Sequence, residues 1–209
     1  MADLSLRSPR PPIAVRAATV ADRAVVATLL ARAFVADPAL GFIFPDVASR
    51  PRRLRAFFDL IVRSEADPAD WCIAADAGVP AAVTIWRKPG AWRTPPSAML
   101  RLIVPMIATF GTALPRALRL QGLLEAHHPA APHWYLEFAG CDPARHGRGF
   151  GGAAIRARLP ETDAAGVSAA LETANEDNIA IYTALGFRVT GDFAVTPTLR
   201  FWTMWRDPA

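Results

Sequence analysis

Apolar and polar positions follow two rhythms along this chain, and each change of rhythm marks an element. Ile13-Ala14-Val15-Arg16 alternates with the two-residue period of a strand. It runs into Thr19-Val20-Ala21-Asp22, which has the form of a capping box, and then into a helical stripe at Val26, Leu29, Leu30, Ala33 and Phe34. Asp37-Pro38 predicts the stop, followed by a loop containing Phe42, Phe44 and Pro45. A second helix is predicted from about Ser49 and Pro51, with its stripe at Leu54, Phe57, Phe58, Ile61 and Val62. Trp71 to Ala75 and Val79 to Trp86, joined by Asp76-Ala77-Gly78, read as a β-hairpin that Lys88-Pro89-Gly90 ends. Thr94 to about His128 predicts one or two helices interrupted at Pro115, lying either over a substrate site or simply on one face of a sheet.

From Trp134 the order is strand, loop, helix, strand, helix, strand, strand. The first of these helices is expected from Gly149 toward Asp163, kinked or ended by Pro160. Val167 to Glu172 is the next strand, Asn178 to Leu185 a short helix, and Gly186 its left-handed stop. Phe187 to Val195 and Leu199 to Arg206 form a closing antiparallel pair. Without repeats or a low-complexity linker, one α/β domain over residues 13–209 accounts for the pattern, after a Pro- and Arg-rich tail, residues 1–12, expected to be disordered.

Composition narrows the classes. The most apolar run, Leu102 to Pro115, is about 14 residues long and interrupted by Pro105 and Gly111, too short to span a bilayer. No apolar segment follows the N-terminal charges, so a cytoplasmic location without membrane contact is expected. The net charge of +4 is almost wholly arginine, Lys88 being the single lysine. Those arginines are scattered and never interleave with aromatic residues, which argues against nucleic acid; even Arg50, Arg52, Arg53 and Arg55 read as a wet helix face. Cys72 and Cys141 lack CxxC or His spacing and read as small buried hydrophobes, with no metal site.

The candidate chemistry centres on His133 to Gly152. His146-Gly147-Arg148-Gly149-Phe150-Gly151-Gly152 leaves backbone N–H groups uncovered where a helix begins, an arrangement suited to phosphate or pyrophosphate. Arg148 adds a cation that can fork onto phosphate oxygens. The spacing is neither the dinucleotide fingerprint nor a P-loop. Glu137, mid-strand in Tyr-Leu-Glu-Phe-Ala, must be paired, wet, or placed in a cleft to accept a proton.

Residues 171–187, Leu-Glu-Thr-Ala-Asn-Glu-Asp-Asn-Ile-Ala-Ile-Tyr-Thr-Ala-Leu-Gly-Phe, following that glycine loop, resemble the C-terminal half of the GNAT superfamily of acetyl-CoA-dependent N-acetyltransferases. The family's loop reads Gln/Arg-x-x-Gly-x-Gly/Ala, and its next helix carries Asn and Tyr seven residues apart before Leu-Gly-Phe; here these are Asn175, Tyr182 and Leu185-Gly186-Phe187. The likeness extends to Ala33-Phe34-x-x-Asp37-Pro38 and Phe201 to Arg206. Within the superfamily it is strongest to the puromycin N-acetyltransferase type, through the Trp134-x-Leu136 and Leu171-Glu172-Thr173 strands. Two departures stand out. His146 occupies the Gln/Arg position, where an imidazole can still donate to phosphate, and Cys141 stands where a β-branched residue is common.

The resemblance implies a GNAT-like mixed α/β fold: a mostly antiparallel twisted sheet with splayed fourth and fifth strands, flanked by helices. It implies acetyl-CoA as co-substrate and transfer to the primary amine of a small molecule by direct attack on the thioester, in a monomer or homodimer. The backbones of Ala139, Gly140 and Cys141 would hold the coenzyme arm with Asn175 and Asn178, and His146, Gly147, Arg148, Gly149, Phe150, Gly151 and Gly152 the pyrophosphate. Tyr182 would be the general acid. Glu137, Glu172, His127 and His128 are alternatives for the base, and Phe34, Asp37, Phe42 and Trp86 for acceptor contacts. Two other readings stay open: protein or peptide N-acetylation, and a non-catalytic acyl-CoA-binding or sensing module.

Overall fold

A computed structural model describes residues 12–64, 67–92 and 96–209. The tail expected to be disordered therefore lies outside the described residues, except for Pro12. The strands are β1 (Ala14–Ala17), β2 (Trp71–Asp76), β3 (Val79–Arg87), β4 (Trp134–Cys141), β5 (Ala169–Thr173), β6 (Arg188–Thr196) and β7 (Leu199–Arg206). They form one sheet in the order β1-β2-β3-β4-β5-β7-β6, antiparallel throughout except for the parallel pair β4 and β5. This is the mixed, mostly antiparallel sheet that the sequence predicts.

Local chemistry accounts for the element ends. In the expected capping box, the Asp22 carboxylate accepts the Thr19 backbone N–H at 2.8 Å just before α1 (Arg23–Ala33). The β2–β3 turn carries positive φ at both Ala77 and Gly78, the two-residue geometry whose twist suits a hairpin. Three boundaries differ from the reading of the sequence. The predicted loop after Asp37 is a short helix, α2 (Pro38–Ile43), because Asp37 accepts the Leu40 N–H at 2.9 Å and Pro38 opens the first turn. The same dipeptide that stops one helix starts the next. Pro160 likewise starts α7 (Leu159–Ala164), instead of ending α6 (Phe150–Arg156). Between α4 (Pro96–Phe110) and α5 (Leu114–His127) the break falls at Gly111, with φ +47°, and Pro115 sits in the first turn of α5.

Apolar side chains cover both sheet faces. On one, α1, α2, α3 (Arg50–Ser64) and α5 pack with Phe34, Phe58, Ile73, Ile85 and Phe138. On the other, α6, α7, α8 (Asp177–Thr183) and the turn after it bring Ile155, Leu159, Tyr182 and Leu185 onto Trp86, Trp134 and Leu136. Burying each large side chain contributes about 1.5–3 kcal/mol. Ile103, Val104 and Ile107 of α4 stay exposed. No helix among the described residues is long and apolar enough to cross a membrane.

Candidate active site

The site begins where the sheet comes apart. β4 and β5 share only the pairs Trp134↔Ala169 and Tyr135↔Ala170, with Trp134 N–H donating to Ser168 O at 2.9 Å. Beyond them β4 and β5 separate: Leu136 and Phe138–Cys141 pair only with β3, and Leu171–Thr173 only with β7, leaving a gap in the sheet. A bulge lies beside the point of separation. Phe138 lies opposite Ile85 but Leu136 opposite Trp86, so Glu137 is an extra residue in β4. A bulge bends its strand and resets the alternation of side chains. Trp134 and Leu136 accordingly enter the core beneath α6–α8, while Phe138 enters the core of α1 and α3. At Gly140 the backbone approaches α1 so closely that a Cβ would lie 2.9 Å from Leu30 Cδ2. Ala139, Gly140 and Cys141 pair with Thr84, Val83 and Ala82 of β3 and have no partner on β5.

The glycine loop closes one end. Asp142 accepts the Ala144 N–H at 3.0 Å and pairs with Arg32 and Arg145 at 3.0 and 3.1 Å, fixing the turn out of β4. Gly149 caps α6 at φ +89°, a conformation other residues adopt only with strain. The helix ladder starts with Ala153 N–H to Gly149 O, so the N–H groups of Phe150, Gly151 and Gly152 precede it. A Cβ on Gly151 or Gly152 would meet no atom closer than 3.8 Å, so neither glycine is demanded by its neighbours. Gly147 is equally unencumbered. The Phe150 ring packs into the core with Ala74, Ala81 and Ala82.

The loop's polar side chains are already engaged. His146 Nε2 lies 3.1 Å from Cys141 O, and Arg148 forks onto Asp76 at 2.9 and 3.1 Å with its guanidinium 5.2 Å from the Phe150 ring. Arg145 reaches the same carboxylate at 3.2 Å.

From β5 the chain turns into α8 through Asn175, whose Oδ1 accepts the Asp177 N–H at 3.1 Å and whose carbonyl accepts the Asn178 N–H at 3.1 Å. Tyr182 follows on α8, buried and edge-on to Phe187. Burial, followed by the Asp37 charge, pushes its phenol up to about 12. Asp37 caps α2 on the opposite sheet face, yet its charge reaches the Tyr182 hydroxyl.

Glu137 is paired. Arg87 donates to it from Nε at 2.7 Å and from Nη2 at 3.0 Å. Of the two histidines ending α5, His127 is exposed, stacked on Phe193, with Nδ1 2.8 Å from Leu123 O. His128 turns inward: its Nδ1 lies 3.2 Å from Glu172 Oε1, and the two side chains are 3% and 2% exposed. Trp86, read from the sequence as an acceptor contact, is a core residue whose indole N–H donates to Thr84 at 3.1 Å. Phe34 packs instead against Phe58 and Phe138 on the α1 side of the gap. The sequence reading missed Trp92, His133 and Tyr135, which surround His128. Nothing in their spacing signals that convergence, because Trp92 belongs to a different loop.

No protein-family profile matches the chain. Its structure is similar to that of a histone acetyltransferase HPA2-related acetyltransferase from Corynebacterium glutamicum, with 25% identity, a TM-score of 0.69, and coverage of 94% of this chain and 97% of that one. It is also similar to the Drosophila melanogaster polyamine N-acetyltransferase, which forms N-acetylagmatine (14% identity, TM-score 0.61, coverage 93% and 98%). A mosquito arylalkylamine N-acetyltransferase-like protein gives 12% identity and a TM-score of 0.58, with coverage of 94% and 100%. The chain has the fold of these acetyltransferases. The sequence resemblance and the splayed sheet agree on this.

Proposed function

We propose that the protein is an acetyl-CoA-dependent N-acetyltransferase that acetylates the primary amine of a small molecule by direct attack on the thioester. The observation that carries the reading is the gap between β4 and β5, which opens beside the Glu137 bulge and along which Ala139, Gly140 and Cys141 have no β5 partner. An extended pantetheine arm fits such a gap as an inserted strand would. The peptide groups of Ala139, Gly140 and Cys141 would hold that arm together with Asn175 and Asn178, and the backbone N–H groups from Gly147 to Gly152 suit a pyrophosphate. Acetyl-CoA supplies the activated acyl carbon and a thiolate leaving group. Tyr182 remains protonated at neutral pH and has a proton to give that thiolate. For the loop to add cationic side chains, Arg148 must exchange Asp76 for phosphate oxygens.

Amine acetyltransferases among the similar structures support a small-molecule acceptor, and the Phe34, Phe58 and Phe138 cluster beside the gap supports an apolar or aromatic body. The Leu171-Glu172-Thr173 strand and the Tyr182-to-Phe187 run keep the puromycin N-acetyltransferase type as the nearest subgroup in this reading. Calorimetric titration with acetyl-CoA, coenzyme A and desulfo-coenzyme A tests it, followed by thiol release with a panel of primary amines. Micromolar, salt-sensitive binding and amine-dependent release are expected. A folded sample that binds none of the three removes the proposal.

A further inference from the structure

One buried cluster, in which the Tyr135 hydroxyl already hydrogen-bonds Glu172, still leaves three acceptor atoms unmet. His133 Nδ1 lies 2.7 Å from the Ala131 carbonyl, so this nitrogen carries the hydrogen and Nε2 carries a lone pair. His128 Nδ1 faces Glu172 Oε1 and is the protonated nitrogen for the same reason. His128 Nε2, His133 Nε2 and Glu172 Oε2 are all buried, and none has a hydrogen-bond partner among the described residues. A buried acceptor left unpaired is costly, and three in one cluster ask for a group rich in N–H donors.

The surroundings define that group. Trp92 lies ring over ring on His128 at 3.9 Å, Tyr135 stands edge-on to it at 4.8 Å, and Trp205 packs against His133 at 5.4 Å. Charged and titratable groups approach from each adjoining element: Tyr135 and Glu137 from β4 with Arg87 from β3, Glu172 from β5, and His133 from the preceding loop. An anion would meet lone pairs. No metal-holding group of His, Cys, Asp or Glu occurs among the described residues. A primary ammonium, with three N–H donors and one positive charge, satisfies both the acceptors and the carboxylate. The cluster lies where such a group would be used: Tyr135 is on the last pair joining β4 to β5, and Glu172 follows two residues after that pair, at the closed end of the gap.

We propose that this cluster receives the acceptor's primary ammonium and that His128, oriented by Glu172, takes its proton. The inference rests on the acetyltransferase reading. An N–H bond of the ammonium breaks, the proton goes to His128 Nε2, and the positive charge passes to an imidazole already facing a carboxylate. The freed nitrogen lone pair forms the N–C bond to the acyl carbon as the C–S bond breaks, and Tyr182 protonates the departing sulfur. The second amine proton leaves to solvent.

The chain has four histidines, so their imidazole 15N resonances can be assigned by substitution. Protein saturated with coenzyme A is titrated with 2-phenylethylamine and with putrescine. Trimethyl(2-phenylethyl)ammonium, which has no N–H, is the control. Expected are shifts at His128 and His133 but not at His127 or His146, at least tenfold weaker amine binding in Glu172→Gln, and no matching effect from the control. His128→Asn should lower kcat/KM for the best amine about 100-fold or more, remove the acidic limb of the pH profile, and leave acetyl-CoA affinity within twofold. Absence of a shift from either amine, or an equal shift from the control, overturns the ammonium site; an intact acidic limb in His128→Asn overturns the proton transfer. Failure of acetyl-CoA to bind would defeat the transferase reading, while the amine titration repeated without coenzyme would still decide the site.

Discussion

Arg87 and Glu137 are joined by two nearly parallel contacts, at 2.7 and 3.0 Å, with only 14% and 16% of their side chains exposed. They tie the extra residue of β4 to the neighbouring strand and so hold the bulge in place. Arg87→Ala strands a half-buried carboxylate. Because some solvent remains, the cost should be about 2 kcal/mol, less than for a fully buried pair, or roughly 4–8 °C in Tm. The double variant Arg87→Met/Glu137→Leu should recover part of it. Thermal melts decide, and a melting point of Arg87→Ala unchanged within about 1 °C would show that the pair does not hold the bulge.

Removing the hydroxyl of Tyr182 tests the acid role. Tyr182→Phe keeps the ring against Phe187 and should lower kcat about 100-fold or more, with acetyl-CoA affinity and Tm nearly unchanged. Full activity in the variant would assign the proton to another donor.

The two tyrosines of the chain, Tyr135 and Tyr182, are both displaced in the same direction. Burial raises Tyr135 well above the ordinary phenol, with the Glu172 and Glu137 charges adding to it, and Tyr182 reaches about 12. The native protein should therefore show no tyrosinate absorbance at 295 nm at a pH of about 10.5, whereas the denatured chain titrates near pH ~10. The sign of the linkage follows. The unfolded chain loses these protons first, so stability is complete below about pH 10 and falls as pH rises toward 12, by on the order of 3 kcal/mol for Tyr182. Asp37→Asn should move the Tyr182 midpoint down. A native tyrosinate signal at the denatured midpoint would contradict the buried setting of both rings.

Asp76 competes for the arginines beside the glycine loop. Asp76→Asn weakens the hold on Arg148 and leaves Arg145 paired with Asp142, and should tighten coenzyme A binding about threefold while steepening its salt dependence. Weaker binding would mean instead that Asp76 aims the two guanidinium groups at the phosphates.

Much of this architecture is legible in the amino-acid sequence. Strand alternation, the capping box and the Asp76-Ala77-Gly78 turn are local signals, and they suffice to place β1, α1 and the hairpin. The register of Asn175, Tyr182 and Leu185-Gly186-Phe187 places the closing half and its candidate acid. Proline misleads where it opens a helix: Pro38 and Pro160 serve as first-turn residues of α2 and α7, and a breaker and a starter look alike in one dimension. The bulge at Glu137 is hidden because it depends on how β3 meets β4. The turn of His128 toward Glu172 is hidden for a similar reason, since α5 and β5 meet only through the tertiary fold.

The sheet is continuous in outline but divided in strength. Four strands on one side and three on the other are joined by two residue pairs. The molecule is thus two half-sheets sharing a narrow seam, and whatever fills the gap between β4 and β5 completes the missing rungs. A nucleotide-bearing thioester lodged there would act as a splint as well as a reactant. The chain's resistance to opening would then track the supply of its own substrate.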